Sequence, residues 1–164
     1  MKILLTGGAG YIGSNVAINL IDSGHKVHII DNLITGNKFL IPKEAKFTNC
    51  NINDINKIEE ILKKDQFDIL MHFAGFIQVE ESVNFPEKYF NNNTTNTIEL
   101  FKICKKNNLN KIIFSSTASV YGDGNSTGIV SEKDLLDPKN PYAESKLKAE
   151  KFYMKIKMLM NILY

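Results

Sequence analysis

The chain has 164 residues, of which 43% are hydrophobic and 23% charged, which is typical of one globular domain covering residues 1–164. Its 20 basic and 18 acidic residues leave a net charge of +2, too small to favour a nucleic-acid or membrane partner. The N-terminus lacks the apolar run of a signal peptide, and Cys50 and Cys104 match no metal or redox spacing. We therefore expect a reduced, cytoplasmic setting and no metal.

Glycines follow the first predicted strand. Lys2–Thr6 is a short apolar run typical of a buried strand, and Gly7, Gly10 and Gly13 come directly after it. Glycines at this spacing permit a tight turn and let the main chain approach a pyrophosphate. The predicted helix 12–23 would direct its N-terminal N–H groups at the phosphates. The alternative is a purely structural glycine turn.

A second strand is predicted to end in a carboxylate. Lys26–Asp31 is apolar up to Asp31, which lies 18 residues after Gly13. In dinucleotide-binding domains, the acidic residue that accepts a hydrogen bond from the ribose 2′-hydroxyl lies ~20 residues after the glycines, which is close to this spacing. A carboxylate would repel a 2′-phosphate, so NAD is favoured over NADP.

The remaining pattern alternates strands and helices. We predict strands over 46–52, 67–73 and 111–116, helices over 55–64, over 87–107 and from Pro141, and loops over 32–44 and 123–140. This order predicts an α/β, Rossmann-type doubly wound parallel sheet with strand order 3-2-1-4-5. His72 lies within an apolar run and is expected to pack in the core. The asparagines of 91–96 and 107–108 are expected to be mostly solvated.

Two groups of side chains are candidates for chemistry. Hydroxyls end the fifth strand, and ligands of open α/β sheets lie beyond the carboxyl ends of the strands; they belong to Ser115, Ser116, Thr117 and Ser119. Tyr142 and Lys146 lie four residues apart after Pro141, with Asn140 expected to cap the helix. An ammonium beside a phenol favours the phenolate, which would let Tyr142 exchange protons near neutral pH.

These motifs together resemble the UDP-glucose 4-epimerases of the extended short-chain dehydrogenase/reductase group. The resemblance covers residues 1 to about 153. It rests on residues 6–13, Asp31-Asn32-Leu33, His72-Phe73-Ala74-Gly75, Glu81-Ser82, residues 89–93, residues 114–122 and residues 140–146.

The resemblance implies roles for individual residues. Tyr142 would take the proton from the sugar 4′-hydroxyl, Lys146 would hold the nicotinamide ribose, and Thr117 would hydrogen-bond the same sugar oxygen. NAD would be the cofactor and a UDP-hexose the substrate. The implied cofactor contacts are Gly7, Gly10, Tyr11, Ile12, Gly13, Asp31, Asn32, Asn51, Ile52, Phe73, Ala74, Gly75, Asn92, Ser115, Tyr142 and Lys146.

The chain also departs from the family pattern. Asn51 stands where the family usually has Asp, and Ile77 stands near a frequent lysine. Ala118 and Ser119 replace the Asp-Glu pair of the related 4,6-dehydratases, which favours an epimerase. Family members are roughly twice as long, so a C-terminal substrate domain is expected to be missing.

Several interpretations stay open at this point. The chain is expected to be an N-terminal fragment, weakly active or inactive alone. The resemblance also predicts a homodimer through helices 87–107 and 141–160. A non-catalytic NAD-binding module and another sugar-nucleotide dehydratase or reductase are the alternatives.

Overall fold

The computed structural model describes residues 1–124 and 128–161, with side chains through residue 156. Residues 125–127 of the predicted loop 123–140 lie outside the described residues. The chain divides into two compact units: Met1–Gly75 with Glu99–Ser115, and Phe76–Ile98 with Ser116–Tyr164. Among the described residues, no helix has both the length and the apolar content needed to cross a bilayer.

A five-stranded parallel sheet lies in the first unit, in the order β3-β2-β1-β4-β5. This confirms the predicted topology. The strands are β1 Lys2–Thr6, β2 Lys26–Asp31, β3 Lys46–Asn49, β4 Ile69–His72 and β5 Ile112–Phe114. The last three are shorter than predicted, because pairing with the neighbouring strand covers only part of each predicted run.

Two helices of the first unit begin within one residue of their predicted starts. Helix α1 is Tyr11–Asp22 and helix α2 is Ile55–Lys64. The Asp54 side chain caps α2 by accepting from the Lys57 N–H, as expected for this residue type. One core cluster joins α1 to the sheet and consists of the buried side chains Leu5, Ala17, Val27 and Ile29.

His72 is a core residue, as predicted. Its side chain is fully buried, and its Nδ1 atom lies 2.5 Å from the Thr6 hydroxyl oxygen. The ring stacks on Phe114 and meets the edge of Phe101, each with ring centroids 5.7 Å apart. These contacts satisfy the imidazole inside the first unit.

The second unit is helical. Helix α3 is Val79–Asn84, which the sequence pattern did not predict, and α4 is Pro86–Tyr89. A π-helical segment, Phe90–Asn96, follows. Helix α5, Thr97–Lys106, comes next in the chain, and from Glu99 onward it belongs to the first unit. The prediction of one regular helix over 87–107 is therefore wrong in its middle. A short π-helical segment often marks a functional site, because it redirects side chains that a regular helix would place elsewhere.

The long helix predicted from Pro141 is α6, Pro141–Asn161. Asn140 caps it as expected: its side-chain oxygen accepts from the Ala143 N–H at 2.9 Å. The fully buried Ala143 and Ala149 allow close packing within the second unit, where α6 packs against the π-helical segment. A short 3-10 helix, Ala118–Tyr121, also contacts α6.

Candidate functional site

The glycine turn between β1 and α1 has a shape that side chains would prevent. Gly7 has φ of +75°, in the left-handed region that favours glycine. A Cβ atom at Gly7 would lie 2.7 Å from the Phe73 carbonyl carbon and against the Ala74 nitrogen. A Cβ atom at Gly13 would lie against the Gly7 carbonyl oxygen. The turn therefore packs directly on the strand end at Phe73 and Ala74, two of the predicted cofactor residues.

The N-terminus of α1 is suited to an anion. Its cap residue is Gly10, which has no side chain to accept from the first-turn N–H groups, and the first turn carries no acidic residue. The amides of Tyr11, Ile12 and Gly13 have no intrahelical partner, since the first turn of any helix lacks one. Tyr11 and Ile12 are 82% and 58% exposed. The uncapped positive end of the helix is what a pyrophosphate would require.

Asp31 ends β2 as predicted, and its side chain is nearly buried. One carboxylate oxygen accepts from the Ala9 N–H at 2.9 Å and the other from the Leu33 N–H at 2.8 Å. Asn32 follows and is half-buried, with its side-chain oxygen accepting from the Ile34 N–H. Sequence reasoning placed Asp31 at this strand end but did not anticipate its contact with the glycine turn.

The other predicted cofactor residues of the first unit lie at the ends of its strands. Ile52 is buried, and Asn51 is half-buried a short distance after β3. Gly75 comes directly after Ala74, which the glycine turn contacts. The Ser115 N–H donates to the His72 carbonyl, which extends the pairing of β4 with β5. All of these positions follow carboxyl ends of parallel strands, where ligands of such sheets bind.

Tyr142 and Lys146 lie one turn apart on α6, as their spacing predicts. The Lys146 side chain is 3% exposed, and burial lowers the pKa of its ammonium to about 8. Tyr142 is half-buried, and its ring meets the ring of Tyr89 edge-on with centroids 6.4 Å apart. At pH 7 a pKa of about 8 leaves the ammonium about tenfold in excess over the amine, so Lys146 still acts as a cation.

Asn93 is a buried residue of the second unit whose contacts the sequence analysis missed. It was grouped with solvated asparagines, but it is 1% exposed and lies inside the π-helical segment. Its side chain donates to the Phe76 carbonyl and accepts from the Phe76 N–H, each at 2.9 Å, and donates to the Ser145 hydroxyl at 3.2 Å. Ser145 lies between Tyr142 and Lys146, so Asn93 stabilises the helix that carries both. The available signal was that Asn93 lies four residues after the apolar Tyr89, which places both on the same face of a helix.

A second network of hydrogen bonds, centred on the buried Tyr89, lies beside Tyr142. The Tyr89 side chain is fully buried, and its hydroxyl donates to the Glu81 carboxylate at 2.8 Å and accepts from the Gln78 N–H at 3.1 Å. Burial, together with the Glu81 carboxylate, raises the pKa of Tyr89 to about 12. Lys88 also pairs with Glu81, at 2.6 Å. Tyr89 therefore stays a neutral phenol that gives Tyr142 a fixed aromatic neighbour.

Thr117 and Asn92 also lie in the second unit. The Thr117 hydroxyl oxygen caps the 3-10 helix by accepting from the Ser119 N–H at 3.2 Å, a contact that leaves its own proton to donate. Next to it, the Ser116 hydroxyl donates to the Glu150 carboxylate of α6 at 2.7 Å. Asn92 is half-buried and donates to the Asn93 side chain. The functional roles that the resemblance implies for these residues stay predictions.

Comparison with protein-family models matches residues 3–161 to the NAD dependent epimerase/dehydratase family. The chain belongs to this family. Among its curated relatives, the UDP-glucose 4-epimerase of Lacticaseibacillus casei is 41% identical over 151 residues, which are 92% of this chain and 45% of that protein. The chain spans about half the length of the curated relatives that it matches.

Solved structures of other family members have the same fold. The UDP-Glc/GlcNAc 4-epimerase of Campylobacter jejuni is 39% identical, with a TM-score of 0.92 over 96% of this chain and 49% of that chain. A UDP-glucose 4-epimerase from Bifidobacterium longum, solved in complex with NAD+ and UDP, is 32% identical, with a TM-score of 0.91 over 97% of this chain and 50% of that chain. The family and the fold predicted from the sequence are thus both confirmed.

Proposed function

We propose that this chain binds NAD through its glycine turn. The support is the uncapped N-terminus of α1, the absence of space for side chains at Gly7 and Gly13, and the Asp31 carboxylate at the end of β2. The family is NAD dependent, and the related Bifidobacterium longum enzyme was solved with NAD+. The amides of Tyr11 and Ile12 would hold the pyrophosphate.

The reaction we propose for the whole protein is the interconversion of UDP-glucose and UDP-galactose. The observation that carries it is the buried cation of Lys146, one helical turn after Tyr142. When bound, NAD would supply a hydride acceptor for C4 of the sugar and return the hydride to the opposite face. Tyr142 would take the proton of the 4′-hydroxyl, and Thr117 would donate a hydrogen bond to the same oxygen.

Two alternatives predict different behaviour. A 4,6-dehydratase needs an acid and a base for elimination, and the short 3-10 helix after Thr117 begins with Ala118 and Ser119 instead of carboxyl groups. A non-catalytic module would bind NAD without using Tyr142. The epimerase, the dehydratase and the non-catalytic module are distinguished by testing these residues in a protein of full family length.

The binding proposal is tested on the chain alone. NAD is titrated calorimetrically into the chain, and epimerisation of UDP-galactose is followed in a coupled assay. We expect NAD binding with little or no turnover, because the chain covers only about half of its relatives. Lack of binding at millimolar NAD would refute the first expectation, and turnover equal to that of a full-length relative would refute the second.

The catalytic proposal is tested in a chimera that joins residues 1–153 to the remaining half of the Campylobacter jejuni epimerase. Tyr142→Phe is expected to reduce turnover about 10²–10⁴-fold with NAD binding retained. Tyr153→Phe, on the same helix, is the matched control. Equal turnover of the two variants in an active chimera would refute Tyr142 as the base, and a chimera that binds NAD without turnover would favour the non-catalytic module.

We also propose cytoplasmic localisation and a homodimer formed through the segment 87–107, which comprises α4, the π-helical segment and α5, and through residues 141–160 of α6. The Met154 side chain of α6 is half-exposed, which leaves it available for a contact between two copies. Light scattering after size exclusion measures the mass directly, and a monomer at all concentrations would contradict the dimer.

A further inference from the structure

We propose that Asp31 is a positioning residue that holds the glycine turn in its binding shape before any dinucleotide is present. This role is separate from the ribose contact implied by the resemblance. That the ligand is a dinucleotide rests on the proposed function. The hydrogen bonds of Asp31 from which we argue are independent of that function.

The Asp31 carboxylate is already committed to the main chain. One oxygen accepts from the Ala9 N–H, inside the glycine turn, and the other accepts from the Leu33 N–H. The residue is 9% exposed; its contact with Ala9 is buried, and its contact with Leu33 is partly buried. Hydrogen bonds to an ionised acceptor are roughly twice as strong as neutral ones.

The turn needs an external anchor because glycine-rich chain is costly to order. Gly7 has a positive φ, and the hydrogen bond within the turn, from the Gly10 N–H to the Gly7 carbonyl, is long at 3.2 Å. Ala9 is the only non-glycine residue between Gly7 and Gly10, and it is fully buried. Fixing Ala9 therefore fixes the centre of the turn.

The segment after β2 holds Ala9 from its other side. The Asn37 N–H donates to the Ala9 carbonyl at 2.8 Å, so both main-chain groups of Ala9 are bound by residues 31–37. Leu33 has φ of +60°, which bends this segment sharply. A Cβ atom at Gly36 would lie 2.7 Å from the Asp31 carboxylate and 2.8 Å from the Ala9 Cβ atom. The Asp31 carboxylate therefore contacts both the glycine turn and the segment 31–37 that packs against it.

The same carboxylate retains capacity for a ligand. A carboxylate offers about four lone-pair positions, and two main-chain contacts leave room for a ribose hydroxyl. Removing it would weaken binding in two ways, by losing the ribose contact and by loosening the turn that receives the phosphates. Only the second loss would also affect a ligand without ribose hydroxyls.

The first test is amide hydrogen exchange in the chain without ligand, measured by NMR. We expect Asp31→Ala to accelerate exchange of the Ala9 and Leu33 amides about 10- to 100-fold. The matched control is Asp68→Ala, because Asp68 accepts from the Lys2 N–H at 2.6 Å in the same unit. It should leave Ala9 unchanged. If Asp31→Ala does not fold, Asp31→Asn decides: an amide can accept from only one of the two N–H groups, so one must lose protection. Wild-type protection of both amides in a folded variant overturns the proposal.

The second test compares NAD with an analogue whose adenosine ribose is 2′,3′-dideoxy. Asp31→Ala is expected to weaken binding of the analogue about tenfold or more, although the adenosine ribose of the analogue has no hydroxyl that could donate a hydrogen bond to Asp31. Equal affinity of the wild type and the variant for the analogue would refute a positioning role. Failure of the wild-type protein to bind NAD would refute the proposed cofactor, and the exchange measurement would then decide the positioning role independently.

Discussion

The burial of Lys146 makes the free energy of unfolding depend on pH. The substitution Lys146→Met removes this contribution, so its size can be measured. The folded chain holds this ammonium at 3% exposure, and its pKa falls from 10.5 to about 8. The unfolded chain exposes the same ammonium to water. Lys146→Met keeps a side chain of similar length but removes the proton equilibrium.

The sign follows from counting protons. Between pH 8 and 10.5 the unfolded chain keeps a proton on Lys146 that the folded chain has released. Stability therefore rises with pH in this window, by at most ~1.4 kcal/mol per pH unit. The full interval corresponds to about 3 kcal/mol as an upper limit, because water entering the folded state would reduce it.

The assay is urea unfolding of wild type and Lys146→Met at pH 7, 8, 9 and 10. We expect the free energy of unfolding of the wild type, relative to the variant, to increase by about 1–3 kcal/mol across the series. Lys148→Met, which removes an exposed ammonium from the same helix, corrects for the loss of one positive charge. A difference that stays constant from pH 7 to 10 would refute the reasoning, since the ammonium would then be solvated equally in both states.

Three further outcomes follow from the contacts described above. Gly13→Ala would place a methyl group against the main chain of the turn, and calorimetry should show NAD affinity reduced about tenfold or more. Gly24→Ala, at the other end of α1, strains a backbone with φ of +79° and should lower stability, but it should bind NAD normally because it leaves the turn unchanged. Burial lowers the pKa of His28 to about 4, so the unfolded chain binds more protons between pH 6.5 and 4. Thermal unfolding should then show about 2 kcal/mol of stability lost from pH 7 to 5, and His28→Gln should abolish that loss. Asn93→Leu leaves several buried polar groups without partners and should cost about 2–4 kcal/mol in urea unfolding, whereas the exposed Asn91→Ala should cost little.

Much of the fold was predictable because its signals are local. The apolar runs of β1 and β2, the glycines between β1 and α1, and the caps at Asp54 and Asn140 each act within a few residues of the chain. Alternation of such elements then leaves one common topology for a parallel sheet, which is the observed one.

The errors share a different cause. Asn93 looks like the exposed Asn91 and the half-buried Asn92 in sequence, and only its packing inside the second unit makes it a buried amide with several partners. The π-helical segment around it was not predictable either, since no residue type specifies that hydrogen-bond pattern. Helix α3 was missed because its six residues are too few to produce a periodic pattern.

The sequence by itself determined the family, the strand order and the residue types available for a dinucleotide and a proton transfer, because these depend on spacing along the chain. Tertiary structure alone decided that Asp31 binds the Ala9 amide and that Lys146 is removed from water. The physical reason is that the free energy of a charged side chain is set by the groups that fold around it, which lie far away in sequence.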